Sequence, residues 1–84
     1  MIYTSIKAER LKEFRERHFE YGFAKVGRNI YEKQINPRRR IVVWSSGKMH
    51  LSDGGSVVHD VPFDLIANLV WDGFVSKEVR DEAK

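Results

Sequence analysis

Cysteine is absent from these 84 residues, which removes the disulfide framework, the thiolate metal site and the thiol nucleophile together. The opening Met1-Ile2-Tyr3-Thr4-Ser5 lacks the basic stretch and long apolar core of a secretory signal. No segment approaches the roughly 20 apolar residues needed to span a bilayer. These absences predict a protein of the cytoplasm, its own cell's or a host's, with no membrane partner. Also missing are the HExxH pair of a zinc hydrolase, the G-x-S-x-G elbow around Ser52 or Ser56, and the Walker spacing around Gly47-Lys48 or Gly54-Gly55-Ser56. Neither catalytic residue nor cofactor is assigned, and a non-enzymatic protein is the expectation.

What is present suffices for a fold. Hydrophobic residues make up 42% of the chain and include five Phe, three Tyr and two Trp, too much apolar surface for a disordered polymer even at 32% charged residues. The length allows one small domain and leaves no room for a second. Residues 1–75 read as that domain and 76–84, rich in paired charges, as a tail that is either a frayed helix or disordered.

The pattern predicts an α+β fold: an N-terminal helix, an antiparallel meander of about five short strands, and a C-terminal helix packed on the sheet. Helix-favouring residues run from Ser5 or Ile6 to His18, with Glu13 and Arg17 in the favourable i,i+4 order. Ile2 to Thr4 reads as a short preceding strand. From Phe19 the period changes to two. Phe19-Tyr21-Phe23 alternate on a first strand; Ile30–Ile35, Arg40–Ser45, Lys48–Ser52 and Ser56–Val61 follow between turn residues. Ile41-Val42-Val43-Trp44 is apolar on both faces, so each side needs a cover: helices on opposite faces, closure into a small barrel, or a second subunit.

Register in the last hairpin follows from which side chains must be hidden. A three-residue turn, Asp53-Gly54-Gly55, would pair Leu51 with Val57 and Met49 with His59, keeping the apolar groups together. A two-residue Gly54-Gly55 turn would instead pair His50 with His59. The first is the expectation, and it sends the two histidines to opposite faces, so no metal site is assigned.

Phe63 to Trp71 runs without a breaker to a cap at Gly73. Asp64, Asn68 and Asp72 form its narrow polar stripe, and the remaining residues sweep about 240° of the wheel where about 100° serves a helix lying on one sheet. The surplus makes Trp71, Leu65 and Phe74 a candidate protein interface. The order helix, strands, helix resembles the double-stranded RNA-binding domain, but Asp60-Val61-Pro62-Phe63-Asp64 stands where that family carries basic residues. No family is assigned.

Charge is distributed unevenly. Met1 to Lys48 carries twelve Lys or Arg against five acids; Met49 to Lys84 carries three against seven. Arg38, Arg39 and Arg40 follow Pro37 at a hairpin tip, with Arg28, Lys33 and Lys48 on neighbouring strands or turns and Tyr31 and Trp44 as stacking surfaces. Guanidinium groups bind phosphate in a bidentate fashion and aromatic faces hold unpaired bases. Arg10, Arg15 and Arg17 of the first helix alternate with Glu9, Glu13 and Glu16, unlike a major-groove recognition helix. The leading expectation is a small binding protein whose basic hairpin edge engages nucleic acid through backbone or single-strand contacts. The alternative is a protein-interaction module, such as a phage- or plasmid-type regulator or inhibitor, that meets an acidic or apolar protein surface or a second copy of itself.

Overall fold

The structure, a computed structural model, describes residues 1–79. Ile2–Ile6 forms β1, in which Ile2, Thr4 and Ile6 alternate with Tyr3 and Ser5. It is anchored at its centre. The Thr4 N–H donates to the His59 carbonyl (3.0 Å), and the buried Thr4 hydroxyl accepts the Val61 N–H (2.9 Å). These bonds hold the chain extended, so the helical segment begins at Ala8 rather than at Ser5.

A 3-10 turn, Ala8–Arg10, leads into helix α1, Leu11–Arg17, and a second 3-10 turn, His18–Tyr21, ends at Gly22 with φ 87°. Glu13 ties α1 together by accepting from Arg10 (3.0 Å) and Arg17 (2.8 Å), and these guanidiniums, Arg10 foremost, hold its carboxyl below the ordinary range. The expected strand over Phe19-Tyr21-Phe23 is therefore corrected. The 3-10 turn aims Tyr21 inward and leaves Phe19 exposed, with Phe23 buried at the start of the sheet.

Five strands follow as an open antiparallel sheet in sequence order: β2 Ala24–Gly27, β3 Ile30–Gln34, β4 Arg39–Trp44, β5 Met49–Asp53 and β6 Ser56–Val58. The sheet does not close, since β2 and β6 remain its edges. Gly54 and Gly55 both take positive φ, 57° and 96°, in a two-residue turn whose twist matches the strands. The register is accordingly Leu51 to Val58 and Ser52 to Val57, overturning the expected three-residue turn. The chain accepts exposure of Val57 because β6 is an edge and the core is already filled from elsewhere.

Helix α2, Ala67–Trp71, is preceded by a 3-10 turn, Phe63–Ile66, and followed by β7, Val75–Val79. β7 pairs antiparallel with β1, Ile2 opposite Val79 through Ile6 opposite Val75. Ser76–Val79 is thus strand, correcting the reading of 76–84 as a tail for those four residues; 80–84 lie outside the described residues. β-Branched valines at 75 and 79 suit a pleat, and β1 offers them a free edge.

The core lies between the helices and one face of the sheet. It joins Phe14 and Leu69 from the two helices to Tyr31, Ile41, Val43, Met49 and Leu51 from the strands, with Ile6, Val61, Ile66 and Phe74 closing it. Phe14 sits edge-on to Phe23 (5.4 Å between centroids) and Tyr31 (5.5 Å). Each such buried side chain contributes about 1.5–3 kcal/mol relative to exposure. The second face of β4 carries no helix. Val42 is buried there outside the core cluster, flanked by its ladder neighbours Glu32 and His50. No second layer is needed to hide so small a side chain.

A candidate single-strand platform on the open sheet face

Alternation along β4 sends Arg40, Val42 and Trp44 to the open face while Ile41 and Val43 face the core. The ladder then places Ile30 and Glu32 of β3 on one side of that row, and His50 and Ser52 of β5 on the other. Trp44 is 39% exposed. Beside it a groove of ≈ 370 Å³ is bordered by Tyr3, Ser5, Lys48, His50 and His59. Strand β1 reaches this groove because Ser5 bridges to Lys48 and the Ile6 N–H donates to the Gly47 carbonyl (2.8 Å). Gly47, at φ 98°, permits that approach, since a Cβ there would stand 3.0 Å from the Ile6 carbonyl oxygen.

The two-residue turn brings His50 and His59 to the same face, their ring centroids 6.4 Å apart and nearly perpendicular. The Tyr3 ring lies 4.9 Å from that of His59. Burial chiefly, then the neighbouring His59 and Arg40, push the His50 imidazole below its ordinary pKa, with Glu32 acting in the opposite direction. Tyr3, His50 and His59 are the site residues that sequence reasoning missed. The Gly54-Gly55 pair held the signal, because that turn alone aligns the two histidines.

The expected cations do not gather on one flank. Arg38, Arg39 and Arg40 lie at one end of the sheet, and Arg28 and Lys48 at the other, separated by the length of β4. At the first end two of the three charges are already matched. Arg38 is 3.3 Å from Asp53, and Arg40 is 3.7 Å from Glu32. Arg39 is half-buried, with its ladder position opposite Asp53, and the hairpin tip is fastened by Asn36, whose side-chain oxygen accepts the Arg38 and Arg39 N–H groups.

The Trp44 end differs. The Ser45 N–H donates to the Asn29 carbonyl (2.9 Å), so the Arg28 turn is fixed against the β4–β5 turn. Arg15 of α1 donates to the Ser45 carbonyl at 3.4 Å. Arg15, Arg28 and Lys48 thus surround one turn, and all three are exposed. Among the described residues none of the three forms an ion pair.

Two expected members fall away. Tyr31 is 4% exposed between Phe14 and His18 and has no free face for a base. Lys33 shares its side of β3, with its stem laid beside Gly22, and points away from Arg40. The protein-interface trio also separates. Phe74 is fully buried against Tyr21, and Leu65 packs on the core, whereas Trp71 is 89% exposed. The wide apolar arc assumed one continuous wheel, but the chain changes from 3-10 to α geometry at Ile66 (φ −130°), which breaks the phase. Beside Trp71, the Tyr21 hydroxyl donates to Asp72 (2.6 Å), and burial, with that carboxylate, raises the Tyr21 pKa.

No group of three or more metal-ligating side chains occurs among the described residues, and among them no helix is long and apolar enough to cross a membrane. Comparison of the chain with protein-family models, curated proteins and solved structures found no match.

Proposed function

We propose that this protein is a non-enzymatic domain that binds single-stranded nucleic acid across its open sheet face. The observation that carries this reading is the exposed Trp44 with Lys48 in its groove and Arg15 and Arg28 at the same end of the sheet, three cations that no described carboxylate neutralises. An indole face stacks on an unpaired base whatever its sequence, contributing about 1–3 kcal/mol per base. Cations around the same turn attract the phosphates on either side of that base. A duplex keeps its bases stacked inside and offers Trp44 nothing comparable, so the platform favours single strands.

The basic end has moved relative to the sequence expectation. Arg38 and Arg40 give up intramolecular partners before they can take a phosphate, so they assist rather than lead. Titration of the protein with labelled single- and double-stranded oligonucleotides at two ionic strengths tests this. Three phosphate contacts predict a slope of log affinity against log salt of about −2 for the single strand. Affinity that does not change with salt contradicts the proposal.

Trp71 favours a second reading, a protein-interaction module. A tryptophan that is 89% exposed, beside Arg17, Glu20 and Asp72, has the composition of an interface anchor with a polar rim. Recovery of one stoichiometric protein after nuclease treatment, lost in Trp71→Ser, would support it.

A further inference from the structure

We propose that the His50–His59 pair is a phosphate seat that fills with uptake of a proton, so that the open face grips its ligand more tightly as pH falls below neutrality. The identity of the phosphate's owner rests on the single-strand reading above; the seat itself rests on geometry. His50 of β5 and His59, the residue after β6, face each other with ring centroids 6.4 Å apart. Both border the groove that runs from Lys48 past Tyr3. That ring spacing is of the order of one tetrahedral anion, which the two rings would hold between them.

The surroundings select an anion over a cation. From β4, Arg40 acts on His50, and from the turn before β5 Lys48 adds a second positive charge along the groove. Glu32 of β3 is the acid facing His50, and it is engaged by Arg40 at 3.7 Å. Asp60, next to His59, is held by Lys77 of β7. Tyr3 of β1 contributes a ring against His59. A divalent metal would meet Arg40 and Lys48 with only two protein ligands.

Without ligand, protonating one ring of a close pair opposes protonating the other, and partial burial of His50 adds to that cost. A phosphate between them reverses both effects by supplying the counter-charge. Binding must then draw in a proton across the range where imidazoles titrate, around 6.5. By linkage, each proton taken up strengthens binding by at most tenfold per pH unit. Lys48, Arg28 and Arg15 supply the affinity that persists at pH 7.5.

The test has two arms, both on the intact chain. In the first, a fluorescein-labelled ten-residue oligothymidylate is titrated into wild type, His50→Gln/His59→Gln and His18→Gln at pH 7.5, 6.5 and 5.5 and constant ionic strength. Wild type and His18→Gln should tighten about tenfold across the series, and the double variant by less than twofold. In the second, NMR follows the imidazole protons of wild type with and without inorganic pyrophosphate, which should raise the titration midpoints of His50 and His59 and leave that of His18 unmoved. Oligonucleotide binding with the same pH dependence in the double variant overturns the seat, as does pyrophosphate that moves neither midpoint. Pyrophosphate that shifts both midpoints while no oligonucleotide binds at any pH overturns the single-strand reading and leaves the seat standing.

Discussion

Thr4 shows what one residue does here. Its hydroxyl, 2% exposed as a residue, accepts the Val61 N–H at 2.9 Å and so joins β1 to the segment after β6. Thr4→Val keeps the shape and removes the acceptor, leaving a buried N–H unsatisfied, so chemical denaturation should report a loss of about 1–3 kcal/mol. His50 makes a pH-dependent contribution of known sign. Its pKa is lowered by folding, so the native state binds fewer protons than the unfolded chain as pH falls below about 6.5, and stability must fall with pH there. Denaturation midpoints at pH 7.5 and 5.5 should differ less in His50→Gln than in wild type. At this scale the sequence was half legible. Trp44 and Lys48 were identifiable from an aromatic and a cation bordering a turn, whereas Tyr31 looked the same in the string and is in the core. Only the parity of strand pairing separates them, and parity depends on turns.

At the scale of elements, the meander was readable because turn residues punctuate it and hydrophobicity alternates between them. Helix lengths and β7 were not. In Val75-Ser-Lys-Glu-Val79 two β-branched valines are too little to mark a strand against the charged residues between them until β1, about 70 residues earlier, presents its edge. If that pairing ties β7 to the fold, Ser76→Pro, which removes the backbone donor facing Ser5 of β1, should destabilise the fold by about 1–3 kcal/mol. Hydrogen exchange in wild type should protect amides within Ser76–Val79; exchange as fast as in an unstructured peptide would deny the strand. The β5–β6 turn invites a parallel check. Gly55 has open space around it but a φ of 96°, so Gly55→Ala should cost about 1 kcal/mol through backbone strain alone, measured by thermal melting. A three-residue turn of the kind first expected would place the strain elsewhere.

For the whole molecule, the charge split was visible in the sequence and its spatial consequence was not. Arg38-Arg39-Arg40 drew attention as a run, yet folding brings Asp53 and Glu32 to two of its members. Arg15, Arg28 and Lys48 are isolated in the chain and meet around Ser45 only once α1 and two turns have docked. The account therefore makes a comparative claim: Trp44 and the cations at its end, and not the arginine run, are the centre of binding. Removing the three cations together with glutamine should abolish most of the salt dependence, while the same change at Arg38, Arg39 and Arg40 should leave most of it. The most direct measurement uses Trp71→Phe, in which Trp44 is the sole indole, and follows its fluorescence as a single-stranded oligonucleotide is added at low salt. Stacking predicts strong, saturable quenching that is reversed by added salt. Saturable binding detected on the oligonucleotide with the Trp44 emission unchanged would contradict it.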